Sequence, residues 1–344
     1  MNLSDIERKE LTRYIGVYDF LGHISGKTFL ITGCKGMIGE AFIKWLLLEN
    51  EEHSANVNII ASTRKPEETP NYIDPSDKIS FCRFGYEREV LDGVHVDYII
   101  HCAAPTGRDF FINNPVETFR VIVDSTENML TIARENEDCR MLFLSSVEAY
   151  GLPDTSEPLP ESYVGAIDSL EIRNGYPLGK KAAEFLCFAA SREYSLDIKI
   201  VRPSSIHGLF QSYSEPRVYN EVLRCLIEKR NLVMKSDGLT KKSLIYTLDA
   251  ISALFLVLFK GEKGQVYNVT DPSTFLTIRD VTERMFSAFS DGLRIEYILE
   301  DRAKNGYLPH QCFTQDVNKI KQLGWSALTS LEEIYEIDLK RFLK

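Results

Sequence analysis

Tyr176 and Lys180 stand four residues apart in the run Tyr176-Pro177-Leu178-Gly179-Lys180. On a helix this spacing puts both side chains on one face. A tyrosine ordinarily titrates near 10, and a neighbouring ammonium favours its phenolate. Such a tyrosine exchanges a proton with a substrate hydroxyl near neutral pH while hydride moves to or from a nicotinamide. Upstream, Leu144-Ser145-Ser146 ends a strand-like run, and its serine hydroxyl can hydrogen-bond the same substrate oxygen. About 140 residues before the tyrosine, Thr28-Phe29-Leu30-Ile31 leads into Thr32-Gly33-Cys34-Lys35-Gly36-Met37-Ile38-Gly39. Glycines spaced G-x-x-G-x-x-G between a strand and a helix make a phosphate cradle. The first turns the chain, the second lets backbone approach a pyrophosphate, and the third lets helix and strand pack closely. The helix that follows offers oriented N–H groups to the anion.

The next strand ends Ile59-Ile60-Ala61-Ser62-Thr63-Arg64-Lys65. NAD enzymes usually hold the ribose hydroxyls there with Asp or Glu. No carboxylate stands at that point, and Thr63 and Arg64 suit a 2′-phosphate. The cofactor expected is NADP(H), with NAD possible.

Positioning these residues requires a layered scaffold. Apolar runs at 28–32, 57–61, 79–82, 97–101, 140–145 and 197–201 read as buried parallel strands. Helical patterns fall between most of them, at 37–49, 115–135 and 179–194. The expected fold is α/β, a doubly wound parallel (Rossmann) sheet with a smaller mixed C-terminal part. Residues 1–26 read as a helical lead-in without a chemical role. Residues 27–202 form the dinucleotide-binding and catalytic domain, and 203–344 mainly bind substrate. In that last part, 217–228, 250–259 and 331–342 read as helices.

Composition narrows the function. The formal net charge is −10, and no basic face marks a nucleic-acid partner. Seven scattered cysteines without a CxxC pair fit free thiols in a reducing compartment. The polar N-terminus is unlike a signal peptide, and the longest apolar stretch, 250–259, is too short to span a bilayer. A soluble cytoplasmic protein without a membrane partner is expected. No metal is expected, since His207 and His310 are isolated and lack ligand spacing. His101 reads as the end of a buried strand near the cofactor, and Cys102 as a small core residue.

From Lys27 to about Leu328 the chain resembles an extended short-chain dehydrogenase/reductase of the nucleotide-sugar epimerase/dehydratase kind. The glycine loop, His101-Cys102-Ala103-Ala104 and Leu144-Ser145-Ser146-Val147-Glu148-Ala149-Tyr150-Gly151 carry the resemblance. So do the Tyr176/Lys180 pair, Val201-Arg202-Pro203, Asp237-Gly238, the stretch 246–249, Tyr267-Asn268-Val269 and Leu323-Gly324-Trp325. In such enzymes the catalytic hydroxyl lies four residues before the tyrosine of the Tyr-Gly pair, here Ser146. The resemblance implies a catalytic set of Ser146, Tyr176, Lys180 and Glu148. It implies cofactor contacts from Gly33, Gly36, Met37, Ile38, Gly39, Ala103, Ala104, Ser145, Tyr176, Lys180 and Pro203, beside Thr63 and Arg64 already named. The C-terminal part would grip a nucleotide-activated sugar, with Ser205 and Lys242 as substrate contacts.

Departures from that pattern are informative. The usual Asn of the long central helix aligns near Ile122, the substrate-touching Asn with Ser205, and the Arg after Asp-Gly with Lys242. Members that eliminate water carry Asp-Glu after the hydroxyl residue, whereas this chain has Val147-Glu148. Valine cannot protonate a leaving hydroxyl, which disfavours dehydration. Glu148 alone resembles the nucleotide-sugar decarboxylases. With NADP(H) as cofactor, reduction of a nucleotide-linked keto-sugar is the favoured expectation. A redox-neutral epimerase or decarboxylase is the alternative, and a non-catalytic dinucleotide sensor the remote one. Surface polysaccharide synthesis is a natural setting. The resemblance implies a homodimer that pairs through helices 115–135 and 179–194 as a four-helix bundle, which their Phe119, Ile122, Leu130, Phe185 and Phe188 allow.

Overall fold

The computed structural model describes every residue except 67, 69, 71, 75–77, 84–94, 154, 301–309 and 344. Among the described residues, β1 (Thr28–Thr32), β2 (Asn58–Thr63), β3 (Ile79–Arg83), β4 (Tyr98–His101), β5 (Arg140–Leu144) and β6 (Asp197–Pro203) follow the expected runs. Outside their sheet, β7 (Ser205–His207) and β8 (Leu244–Tyr246) pair in parallel. A later strand, β9 (Val266–Val269), completes a seven-stranded parallel sheet ordered β9-β6-β5-β4-β1-β2-β3. Its outermost strand on the β6 side thus comes from beyond residue 202. The chain runs outward from β1 to β2 and β3, then returns to start again at β4 beside β1. This reversal opens a crevice above the C-terminal ends of β1 and β4, where doubly wound sheets bind ligands.

The covering helices are α1 (Asp5–Val17), α2 (Met37–His53), α3 (Pro115–Glu135), α4 (Gly175–Glu193), α5 (Val218–Glu228), α6 (Thr247–Lys260) and α7 (Leu331–Phe342). Strand alternation sorts the core. Phe29 and Ile31 face the layer that contains α2 and α6, while Leu30 faces the layer of α3 and α4. Every residue of α6 from Thr247 to Phe259 is buried, as expected of a helix that is apolar on all sides. Its Asp249 accepts hydrogen bonds from the Tyr14 hydroxyl (2.8 Å) and the Leu328 and Thr329 amides (2.7 and 3.2 Å). Through it the lead-in helix α1 is pinned to both α6 and the chain's last segment. A separate apolar cluster joins α5 to Met285, Phe286, Leu331 and Tyr335.

Three expectations shift. The fourth helix starts at Gly175, not 179, because Tyr176 and Pro177 fit its first turn, where proline needs no amide partner. Strand β5 stops at Leu144, leaving Ser145 as a link. Ile122 and Leu130 are buried in this chain's own core between sheet and helices, so they are unavailable to a second copy. Phe119, Phe185, Phe188 and Val116 do lie exposed on α3 and α4. Among the described residues no helix is long and apolar enough to cross a membrane. None of their His, Cys, Asp and Glu side chains form a group of three or more that could hold a metal ion.

Candidate active site

A cavity of about 1960 Å³ occupies the crevice and runs from the glycine loop to the C-terminal part. Gly33, Gly36, Met37, Ile38 and Gly39 line one wall, and Thr63 and Arg64 close that end. Ala103 and Ala104 lie mid-way, followed by Ser145, Ser146, Glu148, Tyr176 and Pro203, with Ser205 and Lys242 on the C-terminal side. Of the residues expected to form the site, all but Lys180 line this one space.

The loop's geometry fits a dinucleotide. Gly33 has φ +72°, and a side chain at Gly39 would drive its Cβ to 2.5 Å from the Gly33 carbonyl oxygen. Gly36 caps α2 without any side-chain hydrogen bond, which leaves the first-turn amides of Met37, Ile38 and Gly39 for an anion. Beside them, the Thr32 hydroxyl accepts from the Cys102 and Ala103 amides (3.1 and 3.0 Å). It also bonds His101 Nδ1 (2.8 Å), whose Nε2 faces the Thr126 hydroxyl (3.1 Å). Burial, aided by the Lys180 charge, pushes His101 down to about 3. The imidazole is therefore neutral and serves to tie β1, β4 and α3 together.

At the far end, Ser146 caps the short turn Val147–Tyr150 by accepting the Glu148 amide (3.1 Å). Its side chain also lies close enough to Tyr176 to favour the phenolate. The Tyr176 ring stacks on Phe111 with centroids 4.7 Å apart. Lys180 is only 1 % exposed and sits beneath the cavity floor. Its Nζ donates to the Leu144 carbonyl at 2.5 Å and lies 5.9 Å from the Tyr176 ring centre.

Here the electrostatics depart from expectation. The Tyr176 phenol is pushed up, by burial first and by the Glu148 charge second, against the opposing effect of the nearby Ser146 hydroxyl. Lys180 does not offset this, and burial lowers its own ammonium to about 8. Spacing places the two groups on one helix, but desolvation is a property of the packed site and outweighs the charge in the protein without ligand.

The Ser145 hydroxyl donates to Glu184 (2.5 Å), while the residue still lines the cavity. Ile122 is in the core, and the cavity face of α3 presents Val121 and Ser125 instead. Val147 packs beside Tyr150, Leu159 and Phe313, and no acid stands in its place. Arg173, Arg217 and Arg341 also line the cavity, and motif spacing gives no warning of the last two. Arg173 lies three residues before Tyr176, a signal that could have been read. Arg341 comes from the last helix, where only the fold brings it near. Lys35 is a further residue that the motifs pass over: its Nζ meets Glu68 (3.1 Å), which also holds Lys65 (2.6 Å), beside Arg64 at the cavity's outer end.

Near Glu148 stand two cations. Burial lowers the Lys242 ammonium, the Glu148 charge opposes that effect, and the Arg173 charge adds to it. Neither the Lys242 nor the Arg173 side chain has a hydrogen-bond or ion-pair partner among the described residues.

Residues 29–270 match the model of the NAD dependent epimerase/dehydratase family. Among curated proteins the chain is similar to UDP-glucuronic acid decarboxylase 3 of Arabidopsis thaliana, 28% identical over 88% of this chain and 85% of that protein. Its fold is similar to dTDP-glucose 4,6-dehydratase of Bacillus anthracis in complex with NAD (TM-score 0.75, 20% identity, 91% of this chain and 96% of that one). It is also similar to RMD of Pseudomonas aeruginosa complexed with NADPH (TM-score 0.69, 18% identity, 92% and 99%).

Proposed function

This chain belongs to the NAD dependent epimerase/dehydratase family, and on that premise we propose that it is a nucleotide-sugar enzyme that oxidises, decarboxylates and re-reduces a nucleotide-linked uronic acid. Family membership and the decarboxylase relative support the class. The observation that carries the finer reading is the pair Arg173 and Lys242 beside Glu148, with Val147 in place of a second acid. Two part-buried cations without partners among the described residues suit a carboxylate brought by the substrate, because an unpaired buried charge is costly.

A bound nicotinamide dinucleotide supplies reversible hydride transfer. The glycine loop and the uncapped end of α2 would hold its diphosphate, and Lys180, beneath the cavity floor, would act on the site through its charge and its bond to the Leu144 carbonyl. Tyr176 takes the proton of the sugar hydroxyl next to the carboxylate-bearing carbon, and Ser146 holds the same oxygen. The ketone so formed makes the substrate a β-keto acid. Its carbon–carbon bond to the carboxylate breaks, the electron pair passes into the carbonyl as an enolate, and CO2 leaves. Glu148 is placed to handle the proton that returns to that carbon. Tyr176 then gives its proton back to the oxygen as the ketone is reduced. The cycle needs no net reductant.

A second reading, NADPH-dependent reduction of a nucleotide-linked keto-sugar, is favoured by Lys35, Arg64 and Lys65 where NAD enzymes place a carboxylate. One experiment separates the two. The purified protein is incubated with UDP-glucuronic acid and catalytic NAD, and CO2 release and product mass are followed. Stoichiometric CO2 supports the decarboxylase. No CO2, together with NADPH consumption on a nucleotide-linked keto-sugar, overturns it in favour of the reductase. The exposed Phe119, Phe185 and Phe188 on α3 and α4 support a homodimer through that face, and a sedimentation mass of one chain at micromolar concentration would exclude it.

A further inference from the structure

We propose that Glu184 is a positioning residue for the reaction, acting with Lys180 to clamp the end of β5 so that Ser146 faces Tyr176. The proposal rests on the tyrosine–serine–lysine chemistry set out above, but it concerns a residue that does not line the cavity.

Residues 176, 180 and 184 follow one another at intervals of four along α4 and so share a face. That face grips three consecutive residues. Tyr176 meets Ser146, the Lys180 ammonium donates to the Leu144 carbonyl, and Glu184 Oε1 accepts the Ser145 hydroxyl. From the sheet side, the Ser145 amide donates to the Val201 carbonyl (2.8 Å). The peptide that carries Ser146 is thus held from helix and sheet, one residue outside the last rung of β5.

Glu184 holds its place as part of a paired charge. Its side chain is 8% exposed, and Arg202 binds it with two bonds, Nε to Oε1 (2.8 Å) and Nη2 to Oε2 (2.6 Å). The Arg202 guanidinium in turn lies over the Tyr150 ring (4.6 Å) and donates to the Glu161 carbonyl (3.1 Å). Tyr150 closes the turn that begins at Ser146, so the network holds both ends of the catalytic turn. A planar fork on a carboxylate fixes orientation as well as distance.

Glu184 also acts on the charge of Lys180. The titratable groups facing that ammonium are the Cys102 and Cys187 thiols, neutral His101, Tyr176 and the Glu184 carboxylate. The groups around Glu184 itself are Arg202, Ser145, Cys187 and Lys180. Glu184 is the carboxylate among those acting on Lys180, and it favours the ammonium against burial.

Two variants test this. Glu184→Gln keeps the shape and an acceptor for Ser145 but removes the charge. Ser145→Ala keeps the Glu184–Arg202 pair but removes the grip. With UDP-glucuronic acid as substrate, E184Q is expected to lower kcat roughly tenfold to a hundredfold with KM nearly unchanged. Its alkaline limb of kcat/KM should move down by about half a pH unit or more. S145A should lower kcat with the limb in place. Wild-type kcat in S145A overturns the clamp, and a wild-type alkaline limb in E184Q overturns the electrostatic part. A lowered melting temperature as the sole effect of both overturns the whole. If the parent turns over no UDP-glucuronic acid, the functional reading fails separately. Fluorescence titration with NADH across pH then decides: an E184Q midpoint shifted to lower pH supports the proposal, and an unshifted one overturns it.

Discussion

The two ends of the cavity handle charge in opposite ways. At the catalytic end, Lys180 and Tyr176 are almost fully covered, and each is held by more than one element. At the outer end, Arg64 is exposed, and the side chains of Lys65 and Glu68 are more than half exposed. Burial sets the behaviour of the first group, because desolvation penalises the charged form of each residue alone. Water and salt set that of the second, where ion pairs are weak and long-range fields fade over about 8–10 Å. The buried end can therefore fix a reaction, whereas the exposed end can only bias which dinucleotide enters.

The largest effect that would break this contrast is at Tyr176. Tyr176→Phe leaves the ring and its stacking on Phe111 but removes the proton carrier. A kcat loss of roughly 10²–10⁴-fold is expected, with NADH affinity by fluorescence titration within about twofold of the parent. Near-parental turnover would remove the tyrosine from the chemistry and leave the buried end a binding site only.

Lys180 sharpens the contrast through stability. A fall from 10.5 to about 8 on burial corresponds to roughly 3 kcal/mol of strain on the charged form at pH 7. Lys180→Met relieves it but forfeits the bond to the Leu144 carbonyl, worth about 1 kcal/mol. The variant should be inactive yet more stable by roughly 2 kcal/mol at pH 7, read by urea unfolding. The sign with pH follows from the lowered value. Between about 8 and 10.5 the unfolded lysine binds a proton that the folded one does not, so the parent gains stability as pH rises. The variant's advantage is full below about pH 8 and fades above it. An advantage that is absent at pH 7 would show that this lysine does not carry a buried charge.

The same contrast explains what can be read from the chain. The glycine loop and the Tyr176/Lys180 pair are legible because their geometry is local: four residues on a helix, or three glycines at a strand–helix turn. The strand runs are legible because parallel strands covered on both faces are continuously apolar. Pro115 marks the start of helix 115–135. The start of α4 is less legible because Asn174 makes no side-chain cap there. The raised Tyr176 phenol is not legible, since burial is set by Phe111 and by loops distant in sequence. Nor are Arg217 and Arg341, which stand just before α5 and on α7, far apart in the chain, and both line the cavity. Strand β9 joins the sheet beside β6 through backbone pairing that a four-residue segment does not announce.

Smaller effects belong to the exposed end. Arg64→Ala should weaken NADPH binding by about five- to tenfold while leaving NADH within about twofold, because a single exposed charge on a phosphate is worth on the order of 1 kcal/mol. Equal losses for both dinucleotides in fluorescence titration would deny Arg64 a phosphate-reading role.

The smallest and most diagnostic change is Glu68→Gln. Glu68 holds both Lys35 and Lys65 and so occupies the cations that a 2′-phosphate would need. Neutralising it frees them, and it also removes a negative charge from the phosphate's surroundings. Both effects point the same way, so NADPH affinity should rise about two- to threefold at low ionic strength. Because all three side chains reach solvent, the gain should shrink as salt shortens the Debye length from about 30 Å at 0.01 M to about 3 Å at 1 M. Titration of NADPH and NADH at both salt levels reads the result. A gain for NADPH alone, lost at high salt, is the behaviour of an exposed selector. A gain that survives the higher salt would mean this end is closed in the bound state and obeys the same desolvation rules as Lys180.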